Sequence, residues 1–246
     1  MRTTGNTIFL TGGTSGIGLE LARRFRDLGN TVIISGRRQD LLDRIAAEDG
    51  IAGVPLDVAD PASIRAAFEQ VTSRYDVNVL ITMAGIMQVE DLRDPAHLET
   101  AEQTIDINLL GTIRTIAVFT PYLLKQADPV IVTVSSGLAS VPLTITPTYS
   151  ATKAAIHSYT QSLRIQLADT GIQVIEVVPP AVRTALLNQE NDERAMPLDE
   201  YLDETMTLLR QHPDADEILV DRVRFLRDAE RENRYADVLG VLNSVG

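Results

Sequence analysis

The chain has 246 residues, 44% of them hydrophobic and 23% charged, with 22 basic against 34 acidic side chains for a formal charge of −12, and no cysteine or tryptophan. That length fits one α/β domain or two small ones, the apolar fraction excludes a disordered chain, and a pI near 4.7 gives no general attraction to nucleic acid or anionic lipid. Without cysteine there are no disulfides or thiolate nucleophiles, and His97, His157 and His212 are too scattered to predict a metal site.

Six short, mostly β-branched runs read as strands: Thr7 to Thr11, Thr31 to Ser35, Ala52 to Leu56, Val77 to Thr82, Val130 to Ser135 and Gln173 to Val178. Helical patterns separate them. After the first run, Ile17, Leu21, Phe25 and Leu28 recur at helical spacing with Gly29 as a stop; later, Asp60 caps Pro61 ahead of Ile64, Phe68 and Val71. Strict alternation of strand and helix predicts a doubly wound parallel sheet of Rossmann type, with six strands in the order 3-2-1-4-5-6 and helices on both faces. No linker or repeat divides the chain, so residues 1–246 read as one domain. Residues 185–246 form its helical C-terminal segment and substrate lid.

The most apolar long stretch, Ile105 to Leu124, contains Asp106 and Arg114 and does not read as a membrane span. The first strand begins by Thr7, which leaves no room for a signal peptide and makes the cytoplasm the default location. From Asn188 to Asp237 there are 15 acidic and 7 basic residues, so this segment supplies −8 of the −12. Its patterns Leu198–Leu202–Met206–Leu209 and Ile218–Val223–Leu226 predict short helices. A solvated flank and a substrate-covering lid are the two readings of it.

Thr11-Gly-Gly-Thr-Ser-Gly-Ile-Gly18 follows a strand and opens a helix, the context in which such glycines mark a dinucleotide-binding turn. Gly12 permits the tight turn, Gly16 lets a pyrophosphate approach the backbone, and Gly18 permits close helix packing, with the helix N-terminus facing the anion. The second strand ends in Ser35-Gly36-Arg37-Arg38. Where a carboxylate would bind a free ribose 2′-hydroxyl, two guanidinium groups suited to phosphate favour NADP (NADPH) over NAD. Tyr149 and Lys153 lie four apart on a helix whose apolar positions are Ile156, Tyr159, Leu163 and Leu167. A nearby ammonium lowers a phenol's pKa and makes it a proton donor and acceptor near neutrality. Only Lys125 and Lys153 occur against 20 arginines, which makes a chance lysine at position 153 improbable.

Together these residues resemble the short-chain dehydrogenase/reductase family in its subtype of about this length, over residues 7–184. The resemblance also rests on Asp57-Val58 after the third strand, Ala84-Gly85 after the fourth, Asn108 in the next long helix, Ser135-Ser136 after the fifth, and Pro179 with Thr184 after the sixth. It implies that Tyr149 is the general acid in carbonyl reduction and that Ser136 orients the carbonyl oxygen. It further implies that Lys153 binds the nicotinamide ribose and lowers the tyrosine pKa, and that Asn108 kinks its helix and holds a water of the proton relay. Gly12, Thr14, Ser15, Gly16, Ile17, Gly18, Ala84 and Gly85 are the implied cofactor loops. Asp57 and Val58 are the implied adenine contacts, Arg37 with Arg38 the 2′-phosphate contacts, and Val182 and Thr184 the carboxamide contacts.

Three features depart from the family pattern. Thr82-Met83 replaces two asparagines that help fix the cofactor loop, Pro179-Pro180 replaces a Pro-Gly and predicts a rearranged loop over the nicotinamide, and the tail from Val238 to Gly246 lacks the usual last strand and its Asp-Gly-Gly ending. Loss of that strand argues for a homodimer through the helices beginning near Thr100 and Tyr149. The first of these is apolar on more than one face, through Ile105, Ile107, Leu109, Leu110, Ile113 and Ile116. The stretch Val174 to Val182 is similar to a bacterial subgroup of poorly characterised oxidoreductases. His157, four residues past Lys153, reads as a helix-surface or interface residue. Met87, Leu138, Val141, Leu143, Leu186 and Leu187 predict a largely apolar pocket for a small carbonyl or alcohol substrate, with no nucleic acid or membrane partner. A non-catalytic NADP sensor on the same fold is the alternative. The joint presence of Ser136, Tyr149 and Lys153 favours the enzyme.

Overall fold

The β-branched runs form strands that are covered on both faces, which is why they read as nearly unbroken apolar stretches. In the computed structural model, which describes residues 1–244, they are β1 (Thr7–Thr11), β2 (Thr31–Gly36), β3 (Ala52–Pro55), β4 (Val79–Thr82), β5 (Val130–Val134) and β6 (Gln173–Val177). All pair in parallel, for example Phe9 with Ile33 and with Leu80. Side chains alternate between the faces: Ile8 and Leu10 enter one core, Phe9 the other.

The sheet has seven strands, not six, in the order β3-β2-β1-β4-β5-β6-β7. The seventh, β7 (Glu217–Ile218), extends β6 in parallel through Glu176–Glu217 and Val177–Ile218. Two residues are too few to show a period of two, so Ile218 reads in the sequence as part of a helical pattern. Of that pattern, Val223 lies in a single 3-10 turn and Leu226 in a short helix. Turns over residues 228–233 lead to a last helix at Tyr235–Asn243, while Val245 and Gly246 lie outside the described residues.

Helices α1 (Gly16–Asp27), α2 (Gln39–Asp49) and α7 (Leu198–Gln211) cover one face of the sheet. Helices α3 (Pro61–Thr72), α5 (Gly111–Leu123) and α6 (Pro147–Gln166) cover the other. Asp60 caps α3 through Ala62 N–H at 2.8 Å, ahead of Pro61. Phe9 stacks on Phe119 of α5 at 5.1 Å between ring centroids, and Phe68 of α3 meets Phe119 edge-on at 5.0 Å. Before α5, α4 (His97–Thr104) passes into a π-helical turn over Ile105–Leu110. Such turns widen a helix locally and accumulate at functional sites. Among the described residues no helix is long and apolar enough to cross a membrane.

The acidic segment is not a solvated flank. Tyr201, Leu202, Met206 and Leu209 of α7 are buried in the core shared with α1, while Asp199 and Asp203 face outward and pair with Arg24 at 3.0 and 3.2 Å. Four buried side chains at roughly 1.5–3 kcal/mol each outweigh exposed ion pairs at about 0–1 kcal/mol, so apolar burial fixes α7. Helices α8 (Arg224–Arg227) and α9 (Tyr235–Asn243) close a small third core around Val141, Leu226, Ala229 and Val238.

Candidate active site

The carboxyl ends of β1 and β4 meet where the strand order reverses, flanked by those of β2, β5 and β6, at the position where open α/β sheets form their ligand crevice. Gly12 stands there at φ +72°, and a Cβ on it would lie 2.7 Å from Ala84 Cα. A Cβ on Gly18 would lie 2.2 Å from Gly12 O, so the loop closes on itself only as glycine. Helix α1 starts at Gly16 behind Ser15, whose side chain makes no cap bond, which leaves its first N–H groups free for an anion. Ile17, in the first turn, packs against the core and sets the helix on the sheet.

Other residues predicted for cofactor binding gather round this loop. A Cβ on Gly16 would lie 3.4 Å from Thr184 Cγ2, so Thr184 faces the helix start across the crevice. Thr14 covers Gly36, and the next two residues, Arg37 and Arg38, are exposed and make no ion pair among the described residues. Asp57 accepts from Ala59 N–H at 3.0 Å, which holds the turn after β3, and buried Val58 packs on Gly111 at the head of α5. Ala84 and Met83 both donate their N–H groups to Thr11 Oγ1, at 3.2 and 3.1 Å. Thr11 thus ties β4 to the glycine loop, although the asparagines common at 82 and 83 are missing. Gly85 lies against the Asn108 side chain.

Pro179-Pro180 keeps the following loop attached: Pro179 O accepts from Gly137 N–H at 2.9 Å, and both peptide bonds are trans. Val182 bridges to Met196, with Arg183 N–H donating to Met196 O and Met196 N–H to Ala181 O, each at 2.8 Å. The loop is therefore anchored to the residues just before α7.

Asn108 is fully buried in the π-helical turn, where Oδ1 accepts from Ile86 N–H and Nδ2 donates to Ile86 O, both at 2.8 Å. Its carbonyl accepts from Thr112 Oγ1 at 2.8 Å. Ser136 caps the 3-10 turn after β5 through Leu138 N–H at 3.1 Å, and Ser135 Oγ beside it is buried without a hydrogen-bond partner. Pro147 opens α6, whose first two turns carry the buried pair Tyr149 and Lys153. Lys153 Nζ donates to Val134 O at 2.8 Å and sits 5.5 Å from the Tyr149 ring centre.

The ammonium does not lower the phenol in this structure. Burial pushes Tyr149 up to about 12, and the adjacent Ser136 hydroxyl alone opposes it; burial likewise brings Lys153 down to about 8, against the pull of Glu176. Lys153 spends its hydrogen bond on a strand carbonyl and donates none to the phenol among the described residues.

Two buried acids were not legible in the sequence. Glu90 accepts from Thr148 N–H at 3.1 Å and Thr148 Oγ1 at 2.6 Å, which ties the segment after β4 to the start of the helix that carries Tyr149. Glu176, at 0% exposure on β6, receives Nδ1 of His157 at 2.8 and 3.0 Å. His157 is therefore half-buried against Glu176 and not a plain surface residue. Of the residues expected to line the substrate pocket, Val141 is instead fully buried under Leu226 and Val238, with Leu138 packed on the same cluster. Met87, Leu143 and Leu187 are half-buried and Leu186 is exposed.

A family model described as short chain dehydrogenase matches residues 6–195. The chain belongs to the short-chain dehydrogenase/reductase family and is an NAD(P)-dependent oxidoreductase of that class. It is 40% identical over 239 residues to the uncharacterized oxidoreductase DltE of Bacillus subtilis (strain 168), covering 94% of each chain. Among solved structures it is similar to a short chain dehydrogenase from Burkholderia cenocepacia J2315 in complex with NADP, at TM-score 0.83 and 24% identity over 97% of this chain and 99% of that one. It is also similar to 3-ketoacyl-(acyl-carrier-protein) reductase from Brucella melitensis complexed with NADH, at TM-score 0.76 and 27% identity over 85% and 91% of the two chains.

Proposed function

We propose that this chain interconverts a carbonyl and an alcohol on a small, largely apolar substrate, with NADP as cofactor and Tyr149 as general acid and base. The observation that carries the reading is the burial of Ser136, Tyr149 and Lys153 together beside a glycine cradle that a Cβ would fill. Gly12, Gly16, Ser15 and the free N–H groups of α1 would hold the pyrophosphate, with Thr14, Ile17 and Gly18 shaping that turn. Arg37 and Arg38, unpaired and at the end of β2, would hold the 2′-phosphate, which favours NADP over NAD. Asp57, Val58, Ala84 and Gly85 would line the adenosine half, and Val182 and Thr184 the carboxamide. The bound nicotinamide supplies or takes up the hydride.

A phenol near 12 keeps its proton throughout the neutral range, so Tyr149 is a donor to a forming alkoxide, a stronger base than the phenolate left behind. The Ser136 hydroxyl, next to that phenol, would orient the same substrate oxygen. Lys153 places a positive charge near the phenolate left after transfer, and Asn108 O, with a lone pair beyond its bond to Thr112, can hold a water that returns the proton. Residues 185–211 border the site through Thr184 and the Val182–Met196 bridge, which supports their reading as part of a substrate cover within one domain of residues 1–246. Leu98, Ile105 and Leu110, exposed at 57%, 40% and 37% along α4 and the π turn, support a homodimer through that face.

Tyr149→Phe tests the assignment. Turnover of a carbonyl panel with NADPH should fall by roughly 10²–10⁴-fold while NADPH affinity stays within about threefold. Retained turnover removes Tyr149 from its role. A wild-type protein that binds NADPH tightly but turns over nothing supports the sensor instead.

A further inference from the structure

Tyr149, Lys153, His157 and Gln161 follow one another at intervals of four along α6, so they form one ridge of the helix. Beneath that ridge, Glu176 lies in register with Thr133 of β5, whose hydroxyl meets Thr160 of α6 at 2.8 Å; this places the carboxylate on the α6 side of the sheet. One residue further along the strands, Val134 is in register with Val177, and Val134 O is the acceptor of Lys153 Nζ. The carboxylate and the ammonium thus occupy adjacent levels of the same pair of strands. Glu176 is completely buried, a placement acids rarely take without a purpose or a partner.

The charges around it can be counted. From α6 come Lys153 and His157; from β7 comes Glu217, whose Oε1 lies 3.8 Å from His157 Nδ1. From α8, Arg227 donates to both Glu217 oxygens at 2.7 and 3.2 Å, with Asp228 beyond it. Farther along α6, Arg164 pairs with Asp216 at 3.1 Å. Arg227 pairs with Glu217 and its charge also reaches Glu176, whose carboxylate has His157 as its hydrogen-bond partner among the described residues. Gln161 Nε2 stands 3.1 Å from His157 Nε2 and can serve either state of the ring, donating to it when neutral or turning its oxygen to it when protonated.

We propose that Glu176 is a positioning residue for Lys153, holding its ammonium charged and seated on Val134 O, with His157 as a proton-gated shield over the same carboxylate. The proposal rests on the reading of Lys153 given above. When His157 is protonated, Glu176 is neutralised and Lys153 feels little of it. When pH rises and His157 loses its proton, the carboxylate is bared and its attraction opposes the loss of the Lys153 proton. The direction of the shifts agrees: Glu176 raises both His157 and Lys153, against burial in each case.

The chain has two lysines, Lys125 and Lys153, and Lys125 is exposed, so lysine labelled with 13C at Cε gives two signals that Lys125→Arg assigns. Their pH titration in the cofactor-free full chain needs no substrate. Glu176→Gln should move the Lys153 midpoint down by about one pH unit, and His157→Arg, which keeps a positive charge over the carboxylate at every pH, should move it down by about half a unit, whereas His157→Gln, which leaves the carboxylate bare as the deprotonated ring does, should move it by less than about 0.2 unit. A Glu176→Gln midpoint within about 0.2 unit of wild type overturns the proposal, as does a downward shift in His157→Gln as large as that in His157→Arg, which would be a packing effect. Should Glu176→Gln not fold, the His157 variants decide alone, and absence of a downward shift in His157→Arg overturns the shield. With a substrate in hand, the alkaline limb of kcat/KM should move down in Glu176→Gln and His157→Arg and stay in place in His157→Gln. If wild type turns over no carbonyl, the enzymatic reading falls while the titration still judges the charge coupling.

Discussion

Lys153→Met removes a buried charge while keeping the length of the side chain. Burial brings the ammonium from 10.5 down to about 8, so the folded chain releases this proton at a lower pH than the unfolded chain. Below about 8 both states carry the proton, and the native state bears the full cost of burying it, about 3 kcal/mol at roughly 1.4 kcal/mol per pH unit. Between about 8 and 10.5 only the unfolded state carries it, and native stability climbs with pH; above 10.5 the effect is complete. Wild type should therefore gain between about 2 and 3 kcal/mol on the variant from about pH 7 to about pH 10. Urea unfolding of both proteins at the two pH values measures this, and subtracting the variant cancels the titrating groups that Lys153 does not touch. A difference that stays flat within about 0.5 kcal/mol refutes the reasoning, because it means that Lys153 is not depressed.

Gly12→Ala meets both a positive φ and the backbone of Ala84, and should cost about 2–4 kcal/mol, read as a fall in Tm of about 5 °C or more. Gly50→Ala, at φ +65° with nothing within 4 Å, is the control and should cost only about 1–2 kcal/mol. Asn108→Ala strips both backbone groups of Ile86 of their partners and should destabilise by about 2–4 kcal/mol in denaturant melts, whereas an ordinary polar helix residue would cost under about 0.5 kcal/mol. Arg37→Asp should weaken NADPH binding by roughly 10²-fold and NADH binding by less than about threefold. Cofactor fluorescence reports this without tryptophan background, and equal losses for the two cofactors would remove Arg37 from its role.

What the sequence determined by itself is whatever rests on short-range physics. Periods of two and 3.6, the Asp60-Pro61 cap and the glycines after β1 each act within a few residues, so strand and helix order, the dinucleotide turn and the spacing of Tyr149 and Lys153 are readable along the chain. The sign of the Tyr149 shift was not, because it depends on how deeply the helix sinks and on whether Lys153 turns to the phenol or to Val134 O. Nor was β7, a pair of residues that becomes a strand only because β6 offers an open edge. Glu90 sits in a polar stretch and Glu176 in an apolar strand, and nothing beside either in the chain names its partner. Thr148 is 58 residues from the first and His157 is 19 from the second, so each acid's partner is decided only when the sheet brings distant segments together. Burial, and with it every shifted pKa, is a property of that assembly and of no single segment.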